Sequence, residues 1–130
     1  MDMQKNQILE IWVTGGIHAM EPVSVQPVSY MDYWQLIQVT HQDGQRSRHL
    51  FGRADNEGRV CSDIVAFDLK TVTATTKSGR LYKVMGPPGR DADAVWIYDQ
   101  WATHNKFVRV QYLTSALHRM RRMRGYTSWM

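Results

Sequence analysis

The chain has 130 residues, of which 43% are hydrophobic and 22% are charged, and its formal net charge at pH 7 is +4. This composition is typical of a globular domain and excludes a disordered chain, which would have too little apolar surface to bury. The length suits one core, so we predict a single α+β domain over residues 1–130. No apolar run is long enough to cross a bilayer, and no membrane partner is expected.

Cysteine and histidine usage bears on compartment and cofactors. Cys61 is the only cysteine, so no intramolecular disulfide can form and a reducing compartment is expected. The opening residues MDMQKNQILE lack the basic-then-apolar pattern of a secretion signal, which predicts a cytoplasmic protein. No two histidines are spaced i,i+4, so neither a metal nor another cofactor is expected.

The first half of the chain is typical of strands. Residues 8–16, ILEIWVTGG, are predicted as a strand, and residues 17–29 as a loop or irregular edge. Residues 30–52 predict a hairpin around a two-residue type I′ turn at Asp43-Gly44, because both central positions of that turn need positive φ.

This turn predicts the register of the hairpin. A two-residue loop pairs His41 with Arg46 and Val39 with Arg48, and it directs His41 and His49 to opposite faces. Both faces become polar toward the turn. We therefore expect the hairpin to protrude, with a basic tip in water.

The middle of the chain predicts more strands. Residues 52–59 are predicted as a polar loop, and residues 61–86 as a three-stranded meander rich in Val and Thr. Its second turn is expected to be a tight one at Ser78-Gly79, which would pair Lys77 with Arg80.

Two helices and a further short strand complete the predicted fold. Apolar residues recur at helical spacing near 92–105, where Asp91 is placed to cap the helix. KFVRVQYL, residues 106–113, is typical of a strand, and a basic amphipathic helix is predicted near 114–124, ended by Gly125. The fold class is thus a mainly antiparallel sheet of five or six strands with one packed helix, and a strongly curved, barrel-like sheet is the accepted variant.

The basic charge is concentrated in the last helix. Without Arg119, Arg121, Arg122 and Arg124, the 16 Lys and Arg residues fall to 12, which equals the number of acids. No Asp or Glu follows Asp99. One reading is that these arginines complement the helix dipole and keep the surface solvated. A solvated helix usually mixes both signs, however, so the unopposed cationic face favours an acidic partner.

We therefore expect a non-enzymatic binding protein with no catalytic residue. The leading hypothesis is contact with nucleic acid or a nucleoprotein complex through the basic C-terminal helix and the basic hairpin tip. The expected contact residues are Arg119, Arg121, Arg122, Arg124, His118, Arg46, Arg48 and His41. Aromatic contacts are expected from Tyr30, Tyr33, Trp34 and Trp129.

Two other functions remain open at this point. The first is a modulator or inhibitor that binds an acidic protein surface of a larger complex, as in an accessory protein of a mobile element; its sign would be an exposed apolar patch bordered by arginines. The second is a small-ligand-binding protein or enzyme with a pocket lined by Trp96, Tyr98 or Trp101. Nucleic-acid binding requires both basic elements on one continuous surface. The sequence leaves open the oligomeric state, and whether Trp129 is buried or displayed.

Overall fold

A computed structural model describes residues 27–129, so the strand predicted at residues 8–16 and most of the loop predicted at residues 17–29 lie outside the described residues. The described chain is α+β. Its elements are β1 (Val28–Thr40), β2 (Arg46–Ala54), β3 (Glu57–Val60), β4 (Ile64–Asp68), β5 (Thr73–Thr76), β6 (Leu81–Val84), α1 (Ala92–Asn105), β7 (Arg109–Tyr112) and α2 (Thr114–Met123). No helix in this part of the chain is long and apolar enough to span a membrane.

The strands form one mixed, open sheet in the order β3-β2-β1-β6-β5-β4, with β7 beside β1. The long strand β1 organises it: β1 pairs with β2 antiparallel, while its first half lies parallel to β6 and its second half antiparallel to β7. The prediction of five or six mainly antiparallel strands is therefore roughly right, but within residues 27–129 the sheet has seven strands and one parallel pair. Over the same residues the sheet does not close into a barrel.

Both faces of the β1–β2 sheet are covered, because successive side chains of a strand point to opposite faces. On the first face, α1 contributes three of the buried residues of one cluster, which consists of Ile37, Val39, Phe51, Val60, Ala94, Ile97 and Trp101. On the second face, Leu36 and Leu50 share a cluster with Ala74 and Tyr82 of β5 and β6 and with Leu117 of α2. The sheet therefore curls over its second face, and α2 packs against the same cluster.

Both helices begin and end where the sequence predicts. The Asp91 side chain accepts a hydrogen bond from the backbone N–H of Ala94 at 3.1 Å, which caps α1. After α2, Gly125 has a φ of 80°. The N–H of Tyr126 donates to the carbonyl of Arg121 at 2.8 Å, which is the bond of a Schellman motif.

The predicted register of the β1–β2 hairpin is wrong by one residue. Thr40, not His41, pairs with Arg46, and Gln38 pairs with Arg48. The reason is that the loop has three residues and ends at Gly44, whose φ is 86°. In such a loop the residue after the type I turn is left-handed, a conformation that glycine adopts easily. The predicted turn at Ser78-Gly79 is wrong in the same way, with Gly79 at a φ of 92°.

Two further predictions in this region are corrected. Residues 52–59 are not a loop: β2 continues to Ala54, and β3 begins at Glu57 after a tight turn in which Asp55 and Asn56 have φ values of 54° and 64°. The hairpin does not protrude either. β7 pairs with β1 as far as Thr40, and the N–H of Val108 donates to the carbonyl of Thr40 at 2.9 Å.

Candidate nucleic-acid interface

The corrected register of the hairpin and the pairing of β7 with β1 bring Arg46, Arg48 and Arg109 to one face of the sheet. Arg46 of β2 and Arg109 of β7 both pair with Thr40 of β1, one from each side. Directly paired residues of neighbouring strands point to the same face. With strands about 4.8 Å apart, the Cα atoms of Arg46 and Arg109 are separated by roughly 10 Å.

The next row of side chains on this face is also polar. Arg48 and Gln111 pair with Gln38 from its two sides. The Nε of Arg48 donates to the Oε1 of Gln38 at 3.1 Å, and the Nε2 of Gln38 donates to the Oε1 of Gln111 at 3.4 Å. The hydrogen bond to Gln38 orients the guanidinium of Arg48 along the surface of the sheet.

Helix α2 lies on the same side of the molecule. Arg48 lines an open groove of about 430 Å³ whose other walls include Val65 of β4 and Ala116 and Met120 of α2. We call this the seam groove, because it lies where β4, the last strand of the open sheet, faces α2. Arg48 of the hairpin and α2 therefore border one common depression.

The outer side of α2 adds further cations. Arg119 and Arg122 are exposed, and so is Arg124, which lies past the last helical turn as the C-cap residue. We define the arginine face as the side chains of Arg46, Arg48, Arg109, Arg119 and Arg122. Within residues 27–129, none of these five arginines forms an ion pair. Arg109 was not among the expected contacts, because only the pairing of β7 with β1 places it here.

Arg121 is buried, and it is therefore not part of the arginine face. Its side chain is 1% exposed. Its Nε donates to the carbonyl of Leu69 at 2.9 Å, and its Nη2 donates to the carbonyls of Lys70 (2.8 Å) and Ser128. The guanidinium carbon lies 4.4 Å from the ring centroid of Trp129. Arg121 thus joins α2 to the β4–β5 turn and to the C-terminal tail.

His41 is also buried, on the α1 side of the sheet. It is 6% exposed, and its Nε2 lies 2.7 Å from the Oγ of Ser47, which in turn lies 2.7 Å from the Nε2 of His49. The corrected register explains this chain of contacts, since Ser47 and His49 point to the face opposite Arg46 and Arg48. His41 is therefore also not part of the arginine face.

The environment of His49 defines its protonation. Its Nδ1 lies 2.9 Å from the carbonyl of Cys61, which can only accept, so Nδ1 carries the proton and Nε2 accepts from Ser47. Burial lowers the pKa of His49 to about 4, against the opposing effects of the Cys61 carbonyl and Asp63. The ring is therefore neutral at pH 7.

A serine hydroxyl beside a histidine is the pairing that many enzymes use as nucleophile and base. Here, however, the Ser47 hydroxyl is buried. Ser47 is 7% exposed, and the neighbouring rings of His49 and Trp101 pack edge-on at 4.8 Å. A substrate cannot reach the Ser47 hydroxyl without opening the hairpin. We therefore assign a structural role to the row of contacts formed by His41, Ser47 and His49. Among the described residues, no group of three or more His, Cys, Asp or Glu side chains could hold a metal ion.

The four candidate aromatic contacts fall into two groups. Tyr30 and Tyr33 are 55% and 52% exposed, whereas Trp34 is fully buried. Trp129 folds back onto the molecule, with its ring centroid 5.5 Å from that of Trp34 and 5.6 Å from that of His118. Ten residues of β1 separate Tyr30 from Thr40, about 30 Å along the strand. None of the four belongs to the arginine face.

The aromatic side chains proposed to line a ligand pocket have other environments. Trp101 is 2% exposed and packs with its ring centroid 4.8 Å from that of Phe107. Tyr98 stacks on Phe51 at 4.4 Å. Trp96 is 56% exposed on the outer side of α1. Trp101 and Tyr98 thus fill the layer between α1 and the sheet.

Comparison of the chain with models of known protein families, with curated proteins and with solved structures finds no match. What the arginine face can bind follows from its own chemistry.

Proposed function

We propose that this protein binds nucleic acid through the arginine face, as a binding protein and not an enzyme. The observation that carries the proposal is the pairing of Arg46 and Arg109 across Thr40, on the face of the sheet against which α2 packs. Helix α2 adds the exposed Arg119 and Arg122. Guanidinium groups match phosphate oxygens in both charge and geometry. The proposal takes one surface to include residues of both basic elements expected from the sequence.

The polar residues between the arginines suit the same ligand. Gln38, Gln111 and Thr40 lie in the rows that hold Arg46, Arg48 and Arg109. Amide and hydroxyl groups commonly donate to phosphate and sugar oxygens alongside arginine. A phosphate backbone laid across these rows would meet donors in every row.

The missing ion pairs also favour an anionic ligand. Five cations that form no ion pair with the described acids repel one another, and such an arrangement weakens the folded state instead of supporting it. An anionic ligand would supply the missing negative charge. It would also release condensed counterions, which makes the affinity depend steeply on salt.

Fluorescence anisotropy with matched double variants tests the proposal. Arg46→Gln/Arg48→Gln and Arg119→Gln/Arg122→Gln each remove two positive charges from the arginine face. Lys83→Gln/Arg90→Gln removes two exposed charges elsewhere, since Lys83 lies on β6 and Arg90 packs over Tyr112 at 5.3 Å. We expect each pair on the face to reduce the slope of log affinity against log salt by about 1.8 for duplex DNA, and the control pair to leave it unchanged.

Two results would count against the proposal. Equal losses in all three variants would mean that only the net charge matters and that the arginine face is not a site. Failure of the unmodified protein to bind any nucleic acid at about 50 mM salt, where phosphate contacts are strong, would reject the function itself.

A second candidate function is the binding of an acidic protein segment, as in a modulator of a larger complex. The seam groove favours it, because Val65 and Met120 are 56% and 50% exposed and Arg48 borders them. Apolar surface framed by arginine is typical of protein interfaces. The occupant would be an extended segment that alternates acidic and apolar residues.

A charged substitution separates the two candidates. Met120→Asp should abolish binding of a synthetic peptide of alternating Glu and Val, whereas Met85→Asp should not, since Met85 is also 50% exposed but is not among the residues that line the groove. Measurable peptide affinity that only Met120→Asp removes would favour this second candidate. No affinity for the peptide in the unmodified protein would exclude it.

A further inference from the structure

We infer that the arginine face binds the sugar-phosphate backbone of a double helix without reading its base sequence, an inference that rests on the proposed function. Three features of the described residues support it. They are the absence of an aromatic stacking surface, the breadth of the hairpin tip, and the fixed spacing of the charges.

The arginine face has no surface on which unpaired bases could stack. Proteins that bind single strands gain much of their affinity from bases stacked on aromatic rings. Among the described residues, the exposed Tyr and Trp side chains are Tyr30, Tyr33, Trp96 and Tyr112, and all four lie elsewhere. The exposed ring of His118 on α2 is already stacked against Trp129. Tyr112 pairs with Ile37 and packs against Tyr98, which places its ring on the α1 side. A single strand would therefore meet the face through its phosphates alone.

The hairpin tip is too broad to read bases. A two-stranded ribbon can enter the major groove, which is about 12 Å wide. Here β7 forms a third strand beside the tip, and the Nε2 of Gln42 donates to the carbonyl of Lys106 at 3.2 Å, which ties the turn to the segment before β7. Three strands with their side chains exceed the width of the groove. The tip can lie along a backbone but cannot penetrate between two backbones.

Helix α2 lies flush against the sheet. Leu117 and Arg121 are buried, and Ala116 and Met120 line the seam groove. The opposite side of α2 is exposed and presents Arg119 and Arg122, whose guanidinium groups can contact phosphate oxygens.

The spacing of the charges favours a stiff, highly charged ligand. Arg46 and Arg48 are two residues apart on β2, about 7 Å, and Arg46 and Arg109 are roughly 10 Å apart across the sheet. A double helix carries one charge per about 1.7 Å of its axis, against about 3.4 Å for each strand. A double helix also needs no ordering when it binds. More phosphates of a duplex than of a single strand therefore lie within reach of these fixed side chains.

Anisotropy tests the inference with four ligands of one sequence, which are duplex DNA, duplex RNA and the corresponding single strands, each about 20 nucleotides long. Two duplexes of a second, unrelated sequence complete the set. We expect the affinity for each duplex to be at least about ten-fold higher than the affinity for its single strand. The affinities for unrelated duplexes should agree within about two-fold. Five contacts predict a slope near −4.5, which weakens duplex DNA binding roughly 500-fold between about 50 and 200 mM salt. The DNA and RNA arms identify which double helix is preferred.

Each alternative result has its own meaning. Tighter binding of the single strands would overturn the inference and leave the proposed function standing. A strong preference for one duplex sequence would have the same two consequences. No binding to any of the four ligands would overturn the proposed function itself. A slope that stays the same in Arg119→Gln/Arg122→Gln would remove α2 from the contact surface.

Discussion

Neighbouring residues of β2 have opposite roles in this protein. Arg46 and Arg48 point to the arginine face, whereas Ser47 and His49 point to the α1 side, where both are buried. The buried chain of His41, Ser47 and His49 links both strands of the hairpin near its turn. A neutral imidazole that donates to one partner and accepts from another satisfies its buried polar atoms without the cost of a buried charge.

We expect His49 to make stability depend on pH in a defined window. Burial lowers the pKa of His49 in the folded protein to about 4, whereas the unfolded value is about 6.5. Between these values the unfolded chain binds more protons, so the free energy of unfolding falls as the pH drops from about 6.5 toward 4 and is fully retained above 6.5. The loss attributable to His49 is about 3 kcal/mol, measured by urea unfolding across this range.

A matched pair of variants isolates the contribution of His49. His49→Phe keeps an aromatic ring beside Trp101 but cannot titrate, so its free energy of unfolding should be nearly independent of pH between about 5 and 6.5. His104→Gln, which removes an exposed histidine from α1, should retain the wild-type slope. A pH dependence that survives in His49→Phe would show that another group is responsible.

Arg121 is expected to contribute more to stability than the exposed arginines of α2. Arg121→Met retains much of the aliphatic packing but leaves the carbonyls of Leu69 and Lys70 without their donor, and it removes the cation from the Trp129 ring. We expect a loss of about 2–4 kcal/mol in the free energy of unfolding, measured by urea denaturation. Arg122→Met, at the exposed neighbouring position, should change it by less than about 0.5 kcal/mol. Equal effects would contradict the structural role assigned to Arg121.

At the scale of elements, α1 and β3 are held together by a very close backbone approach. A Cβ added at Gly58 would lie 2.6 Å from the carbonyl oxygen of Asp93 and 2.7 Å from the Cα of Ala94. Neither atom belongs to a side chain that could rotate away. Only glycine allows the N-terminus of α1 to pack this closely on the sheet.

We therefore expect Gly58→Ala to push the start of α1 off β3. The cost of such overpacking is typically about 1–3 kcal/mol, and thermal unfolding followed by circular dichroism would measure it. Gly44→Asn is the control, because Gly44 has a φ of 86° and a Cβ added there would meet nothing within 4 Å, and asparagine tolerates this conformation. A control loss as large as that of Gly58→Ala would mean that the contact with α1 is not the cause.

At the scale of the whole molecule, charge is segregated. Acids and bases pair near the β2–β3 turn, where Arg59 contacts Asp55 and Glu57 at 2.9 and 2.8 Å, whereas the arginine face has no such pairs among the described residues. Unopposed charges destabilise a fold through mutual repulsion. Under the proposed function, the arginine face lowers stability in exchange for affinity.

This segregation predicts how salt affects folding. Salt at about 0.1 M screens charges beyond roughly 10 Å, so it should relieve repulsion on the arginine face. In Arg119→Gln/Arg122→Gln, the gain in free energy of unfolding between low and moderate salt should be smaller than in the wild type by up to about 1 kcal/mol. Lys83→Gln/Arg90→Gln should retain the wild-type gain. Identical salt dependence in both variants, measured by urea unfolding, would contradict mutual repulsion among these arginines.

The local features of the fold were predictable from the sequence. The cap at Asp91, the end at Gly125, the strands of the meander and the helical period of both helices all depend on residues within a few positions of one another. The same holds for the lack of acids after Asp99, which indicated where the basic surface would be. Each of these signals arises from short-range propensity and spacing, which neighbouring residues determine without help from the rest of the chain.

Tertiary structure decided which cations belong to the candidate site. A three-residue loop in place of a two-residue one shifted the hairpin register by one position, and such a shift exchanges the two faces of a strand. It brought Arg48 to the side of α2 and left His41 buried, and the pairing of β7 with β1 then added Arg109. Arg121 is buried because its guanidinium finds carbonyls about 50 residues earlier in the chain. Helical spacing separates Arg121, four residues after the buried Leu117, from Arg122 on the outer side of α2. The carbonyl partners of Arg121 are set by long-range packing, which helical spacing does not indicate.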